Sequence, residues 1–271
     1  MKNLTRFTLL LIMIAIAPVA LKAQNDSTIK DAFTASLNYQ SKLHYFGRTD
    51  SLQSSGMFPS VGYELKCGLY AQGNFIFVHN NTLPLTYTGS TIEAGYRLPQ
   101  AKKINGNIFV SKFLYKNNST LVQSALQYQT GINLSFNNKI ININSGFDIK
   151  YSNTADLGAT AGLDHIFIIK IANKPMAFAF DPSAYINFGT QKFSEVYIKK
   201  QNFLGIPMYN KTTVNKSAFN ILSYEISAPI VFVAGKFNAS LIPAYVIPQN
   251  LLAGERGTDM FYITASIGIR L

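Results

Sequence analysis

Side chains able to do chemistry are few in this chain: three histidines, one cysteine, 13 acidic and 24 basic residues among 271. Hydrolysis of a lipid on a barrel wall would need a nucleophile, a base and an orienting group within hydrogen-bond reach. On a strand that means a Ser two residues from a His, since alternate side chains share a face. His44 has Lys42 and Phe46 at that spacing, His79 has Phe77 and Asn81, and His165 has Leu163 and Phe167. No such pair exists, so catalytic residues are not expected. No His, Cys and Asp cluster has metal-ligand spacing, so neither metal nor cofactor is expected. His165 reads as an interfacial ring on a lipid-facing column near one end of the wall. Cys67, alone, forms no intrachain disulfide and reads as a small apolar wall residue.

The charges offer more. Lys42, His44, Glu64, Lys66, Glu93, Arg97, Asp148, Lys150, Asp164, Asp181, Glu225 and Arg270 sit at alternate positions, on the polar faces of segments whose other faces are apolar. Both signs occur in similar numbers. Charges in that pattern line a lumen and tune its selectivity, as rings of side chains do in channels. Alternatively they pair across the lumen and fill it. On a lipid face a single Arg or Lys would cost about 2–4 kcal/mol at the midplane, which argues for the inward assignment.

The elements that must position these groups are strands. From Thr258 to Leu271, the residues Phe261, Ile263, Ala265, Ile267, Ile269 and Leu271 alternate with Tyr262, Thr264, Ser266, Gly268 and Arg270, an apolar wall backed by a polar one. Val122 to Phe136, Ile141 to Tyr151 and Leu222 to Phe232 repeat the period of two. Read throughout, the pattern predicts about twelve strands, with ten or fourteen as the neighbouring counts: 31–46, 57–71, 74–81, 85–98, 106–116, 120–137, 139–152, 155–171, 176–199, 218–234, 236–248 and 259–271. Turns such as Gln72-Gly73-Asn74 and Asn137-Asn138-Lys139 alternate with longer segments such as 47–56, 200–217 and 249–257. Short periplasmic turns facing longer outer loops are the habit of outer-membrane barrels. Prolines 59, 182, 229 and 243 fall inside strands and require bulges or strand ends there.

A secreted sandwich also alternates, but its strands are commonly five or six residues. Many here exceed the 9–11 residues that cross a bilayer at a tilt, and backbone groups in lipid have to be paired, so the sheet must close. Ahead of it, Lys2 and Arg6, the apolar run Phe7 to Ala17 and the small residue Ala23 before Gln24 read as a signal peptide over residues 1–23. Residues 24–271 then form one outer-membrane barrel domain. Losing Lys2, Arg6 and Lys22 lowers the formal net charge from +11 to +8. In an exported chain without a basic run, that surplus fits lipopolysaccharide, anionic solutes or simple solubility better than nucleic acid. Lys192, Lys199, Lys200, Lys211 and Lys216 form a basic outer segment that reads first as a solvated loop and second as a lipopolysaccharide contact, and Asp26-Ser27-Thr28 and Asp50-Ser51-Leu52 match a short glycosylation motif. Tyr39, Tyr45, Tyr63, Tyr96, Tyr128, Tyr151 and Tyr245 fall on outward faces, as interfacial girdles require.

Phe180-Asp181-Pro182 leading to Tyr185-Ile186-Asn187-Phe188-Gly189-Thr190, and Tyr224-Glu225-Ile226-Ser227-Ala228-Pro229-Ile230 leading to Pro243-Ala244-Tyr245-Val246-Ile247-Pro248, resemble segments of a group of mostly uncharacterised outer-membrane barrels of Bacteroidota. The resemblance implies the same fold and insertion by the barrel-assembly machinery, and brings no catalytic residue. The expectation is an all-β, single antiparallel transmembrane barrel in the outer membrane, a passive or gated channel for small solutes. Its lumen residues are Lys42, Glu64, Lys66, Glu93, Arg97, Asp148, Lys150, Asp181, Glu225 and Arg270. A non-conducting barrel whose outer loops bind a partner or surface glycan is the alternative, and a lipid hydrolase a distant third.

Overall fold

The computed structural model describes residues 31–50, 52–99, 103–116, 125–192, 218–252 and 255–271. The leader at 1–23, both glycosylation serines, Lys199, Lys200, Lys211 and Lys216 lie outside them. In chain order the segments are β1 (Ala32–Gln40), β2 (His44–Tyr45), β3 (Arg48–Thr49), β4 (Ser55–Glu64), β5 (Leu69–His79), β6 (Thr86–Arg97), β7 (Ile104–Tyr115), β8 (Tyr128–Phe136) and β9 (Asn142–Tyr151). They continue as β10 (Ala155–Asp164), β11 (Phe167–Lys170), β12 (Met176–Phe180), β13 (Ser183–Gly189), β14 (Asn220–Ser227), β15 (Ile230–Ala234), β16 (Phe237–Pro248) and β17 (Met260–Arg270). All pairings are antiparallel. The main sheet runs from β4 through β10 to β13, β14, β16 and β17, and β17 returns to β1 and β1 to β4, closing the ring.

Twelve strand positions make up this ring, because β10–β11, β12–β13 and β14–β15 are each one wall strand with a break. The breaks have a common cause. Pro182 and Pro229 cannot donate to the ladder, and Pro243 lies where β16 passes from pairing with β15 (Phe237 to Leu241) to pairing with β14 (Ala244 to Pro248). His165 N donates to the Pro182 carbonyl at 3.3 Å, Asp181 N to Pro229 at 2.9 Å and Ala228 N to Pro243 at 3.0 Å. The disturbance thus crosses four wall strands as one seam, with its backbone donors satisfied.

Outside, Phe33, Leu37, Val61, Phe75, Ile92, Ile108, Phe147, Leu157, Ile226, Phe261 and Ile267 are exposed around the ring. A continuous apolar wall of that extent belongs in a bilayer, and a closed antiparallel barrel with a polar interior is the outer-membrane solution. Lys112 leans over the Tyr128 ring at 5.6 Å and Lys103 over Phe136 at 5.9 Å. These are aliphatic stems against apolar surface with their charges directed to the interfaces. Inside, aromatic rings lie over cross-strand glycines: Tyr70 faces Gly95, Phe109 faces Gly131 and Tyr185 faces Gly162. A Cβ on Gly162 would stand 2.1 Å from the Tyr185 ring, which is why a bare backbone is needed there.

The structure corrects several boundaries. There is no turn at Gln72-Gly73-Asn74: β5 is continuous through it, and the turn lies at Leu65 to Gly68. Cys67 and Lys66 are exposed in that turn, neither on a lipid wall nor in the lumen. The first wall strand stops at Gln40, and the eighth segment begins at Tyr128. Ala125 and Leu126, expected in the wall, are buried inside the barrel mouth.

Candidate functional site

The first outer loop folds inward. β2 and β3 pair as His44 with Thr49 and Tyr45 with Arg48, leaving Phe46-Gly47 as a two-residue turn. Both turn residues have positive φ, 52° and 77°, the conformation that matches the twist of a tight hairpin and that glycine adopts without strain. Closeness adds a second demand on Gly47, since a Cβ there would meet Pro248 at 2.9 Å.

The hairpin spans the mouth. Tyr45 packs with Ala125 and Leu126, and Phe46 and Phe113 close on the same cluster. Lys150 of β9 sits 5.8 Å over the Phe46 ring. On the other side, the His44 ring meets Tyr262 of β17 edge-on at 4.3 Å. Leu43 packs with Phe58, Ile76, Val78 and Tyr115. Ala244, Val246, Met260 and Tyr262 form a further buried cluster on β16 and β17. Apolar residues on an inner face would be costly in a water-filled lumen. Removed from water by the hairpin, each fully buried large side chain is worth about 1.5–3 kcal/mol.

Arg48 is the centre of this seal and is 1% exposed. Its guanidinium donates to Glu255 Oε2 (3.1 Å), the Phe46 carbonyl (3.2 Å), the Leu222 carbonyl (3.1 Å), Gln191 Oε1 (2.7 Å) and the Gln249 carbonyl (3.0 Å). Five donors meet five acceptors, the full capacity of an arginine. The backbone links of the hairpin run to the last outer loop, through the Arg48–Gly257 bridge and Thr49 N to the Arg256 carbonyl at 2.9 Å. β2 and β3 form a sheet of their own. Their displacement breaks no barrel ladder.

Burial pushes the His44 imidazole down to about 4. Its Nδ1 accepts from Gly47 N at 3.2 Å, and its Nε2 is buried without a hydrogen-bond partner among the described residues. The neutral ring therefore suits the docked hairpin, and a protonated one does not.

Below the hairpin the expected lumen charges divide into groups. Asp148 and Lys150 pair with each other. Glu93 accepts from Tyr70 Oη at 2.9 Å and Ser111 Oγ at 2.8 Å, and Asn107 donates to Tyr70 at 2.9 Å. Glu225 accepts from Tyr262 Oη at 3.0 Å. At the turn end Glu64 lies between Arg97 at 2.8 Å and Arg270 at 3.2 Å, with Arg97 5.1 Å over the Tyr70 ring. Lys42 is in the outer loop beyond β1, half-buried, and not in a wall strand. Asp181 and His165 lie at strand breaks and face a polar recess of about 590 Å³ at the turn end, together with Asp164, Asn142, Asn144 and Tyr185. His165 lines this recess and also meets the exposed Phe167 ring edge-on at 4.4 Å, at the edge of the lipid-facing column expected for it, whereas Tyr45, expected on the outer wall, is 7% exposed inside the mouth.

Arg48, Phe46, Gln191 and Glu255 were not identifiable as a site. Their one local signal was Phe46-Gly47 between polar residues, a turn pair whose direction of folding depends on partners as far away as residue 255.

No family model matches the chain, and no curated protein matches it. Among solved structures it is similar to the NanC porin, at 10% identity and a TM-score of 0.49 over 88% of this chain and 100% of that one. The KdgM porin aligns at 6% identity and 0.46, over 88% and 98%. LpxR from Salmonella typhimurium aligns at 10% identity and 0.46, over 87% and 99%.

Proposed function

We propose that this chain is a gated outer-membrane conduit for small solutes, shut at its outer mouth by the β2–β3 hairpin. The observation that carries it is the separability of the seal: among the described residues β2 and β3 share no ladder with the barrel strands, their backbone links run to the last outer loop, and the barrel itself is held by side chains alone. The ring would remain closed with the hairpin swung out, and the lumen beneath carries hydroxyls, amides and paired charges suited to water. Lipopolysaccharide is the natural boundary lipid for the outer end of the wall, where Lys112 and Lys116 sit against Tyr128 and Tyr87. The assembly machinery is the partner that inserts the strands.

The test is solute flux into liposomes through the refolded chain, compared with a variant in which residues 44–49 are replaced by a Gly-Ser linker. Heat-modifiable gel migration reports the closed barrel in both. Little uptake by the native chain and size-dependent uptake by the variant would support the gate. A folded variant that stays impermeable would overturn the conduit and leave the second reading, a closed barrel acting through its outer loops, which the sealed mouth also favours.

A further inference from the structure

The recess at the turn end has an unusual lining for a barrel that handles ions. Strands β9 and β10 supply Asn142, Asn144 and Asp164, the seam supplies Asp181, and β13 supplies Tyr185; Lys139 of the neighbouring turn stands at the rim. Asn142 donates to Asp164 Oδ2 at 2.6 Å, and Asn144 donates to the other oxygen of the same carboxylate. Asn138 N in turn donates to Asn142 Oδ1 at 3.0 Å. The orientation of the Asn142 amide is therefore fixed from behind, and both amides are fixed on Asp164. Asp181 Oδ1, buried at the atom, has no hydrogen-bond partner among the described residues.

We infer that this recess is a subsite for a neutral, hydroxyl-rich solute of mono- to disaccharide size. The reading rests on the conduit proposed above and names what it would carry. A hydroxyl both donates and accepts, and an amide beside a carboxylate presents that mixture in fixed geometry. Fixed amides and carboxylates hold vicinal hydroxyls without reorganisation on binding. The flat Tyr185 ring offers an apolar face to sugar C–H groups. About 590 Å³ falls within the range of small-ligand sites. Two carboxylates, Asp164 and Asp181, against one rim lysine and the His165 imidazole turn the selectivity away from acidic sugars.

Saturation-transfer NMR on the full chain in detergent, with cellobiose, glucuronate and glucosamine as separate probes, reads binding without any need for transport. Saturable cellobiose binding that glucuronate does not displace is expected. Asn144→Leu should weaken it at least fivefold; should that variant fail to fold, Asn105→Leu, two strands along the same row of the recess, serves instead. Binding of glucosamine alone would make the recess a cation site and overturn the inference. So would cellobiose binding that both leucine substitutions leave unchanged. Cellobiose binding by a chain whose hairpin-deleted form stays impermeable would remove the conduit and keep the subsite. Flux without saturable cellobiose binding would do the reverse.

Discussion

Arg48 and Glu255 meet at 3.1 Å with 2% and 3% of their side chains exposed, although 207 residues separate them. The pair ties the first outer loop to the last across the mouth. Glu255 Oε2 also accepts from Leu252 N at 2.8 Å, so the carboxylate orders its own loop while it holds the arginine.

Replacing one partner of a buried ion pair leaves the other charged and unpaired, at a cost of about 3–5 kcal/mol. Arg48→Met should therefore release the hairpin and raise single-channel open probability by at least tenfold. Arg48→Met with Glu255→Gln should recover part of the closure, because the orphaned charge is gone. Planar-bilayer recording of the three proteins checks this. Equal open probability in all would mean that the ion pair does not hold the gate.

Acid should open the mouth. His44 in a released hairpin titrates near its ordinary 6.5, whereas in the docked hairpin it is held at about 4. A group with a depressed docked value favours docking fully above 6.5, and that advantage is lost as pH falls toward 4, by about tenfold in the docking equilibrium per pH unit. Conductance should rise between pH 6.5 and 4 and stay flat from 7 to 8. In His44→Asn, which keeps a polar side chain but cannot be protonated, the rise should disappear; its persistence would move the sensor elsewhere.

The turn-end triad should act on selectivity and hardly on stability. Arg97 and Arg270 are 56% and 52% exposed beside Glu64, so each pair is worth no more than about 1 kcal/mol. Glu64→Gln leaves two cations facing the exit without their counter-charge. Reversal potentials in a salt gradient, measured on the hairpin-deleted form, should shift toward anion preference while the denaturation midpoint moves little.

Strand alternation made the wall legible: Phe261 to Leu271 and Ile141 to Tyr151 carry a period that only a two-faced sheet explains. The inward hairpin was not legible, because Lys42 to Phe46 continues the alternation of β1 after the chain has left the wall. Period two says that a segment is extended, not which sheet it joins. Ile76 and Val78 are buried on an inner face because Leu43, at the entry to the hairpin, packs against them, a contact that no local pattern announces. Prolines 182, 229 and 243 announced interruptions, yet their alignment into one seam depends on register between strands far apart in sequence. Of the charges assigned to the lumen, Lys66 lies in an exposed turn and Lys42 in the outer loop, and the partners of the others were not legible. Glu64 lies between Arg97 and Arg270 through pairings that no local pattern encodes.

Gly162 gives the clearest test of packing inside the wall. It stands opposite Tyr185 in the ladder, and a Cβ there would come within 2.1 Å of ring atom Cδ1. Gly162→Val must drive the ring off, and such overpacking typically costs about 1–3 kcal/mol. The urea midpoint of refolded protein should fall accordingly, and cellobiose binding should weaken with it, since the displaced ring is part of the recess. Adding Tyr185→Ala makes room for the valine, so the double variant should regain much of the stability without regaining the binding. A double variant no more stable than Gly162→Val would place the cost in the backbone rather than in the clash with Tyr185.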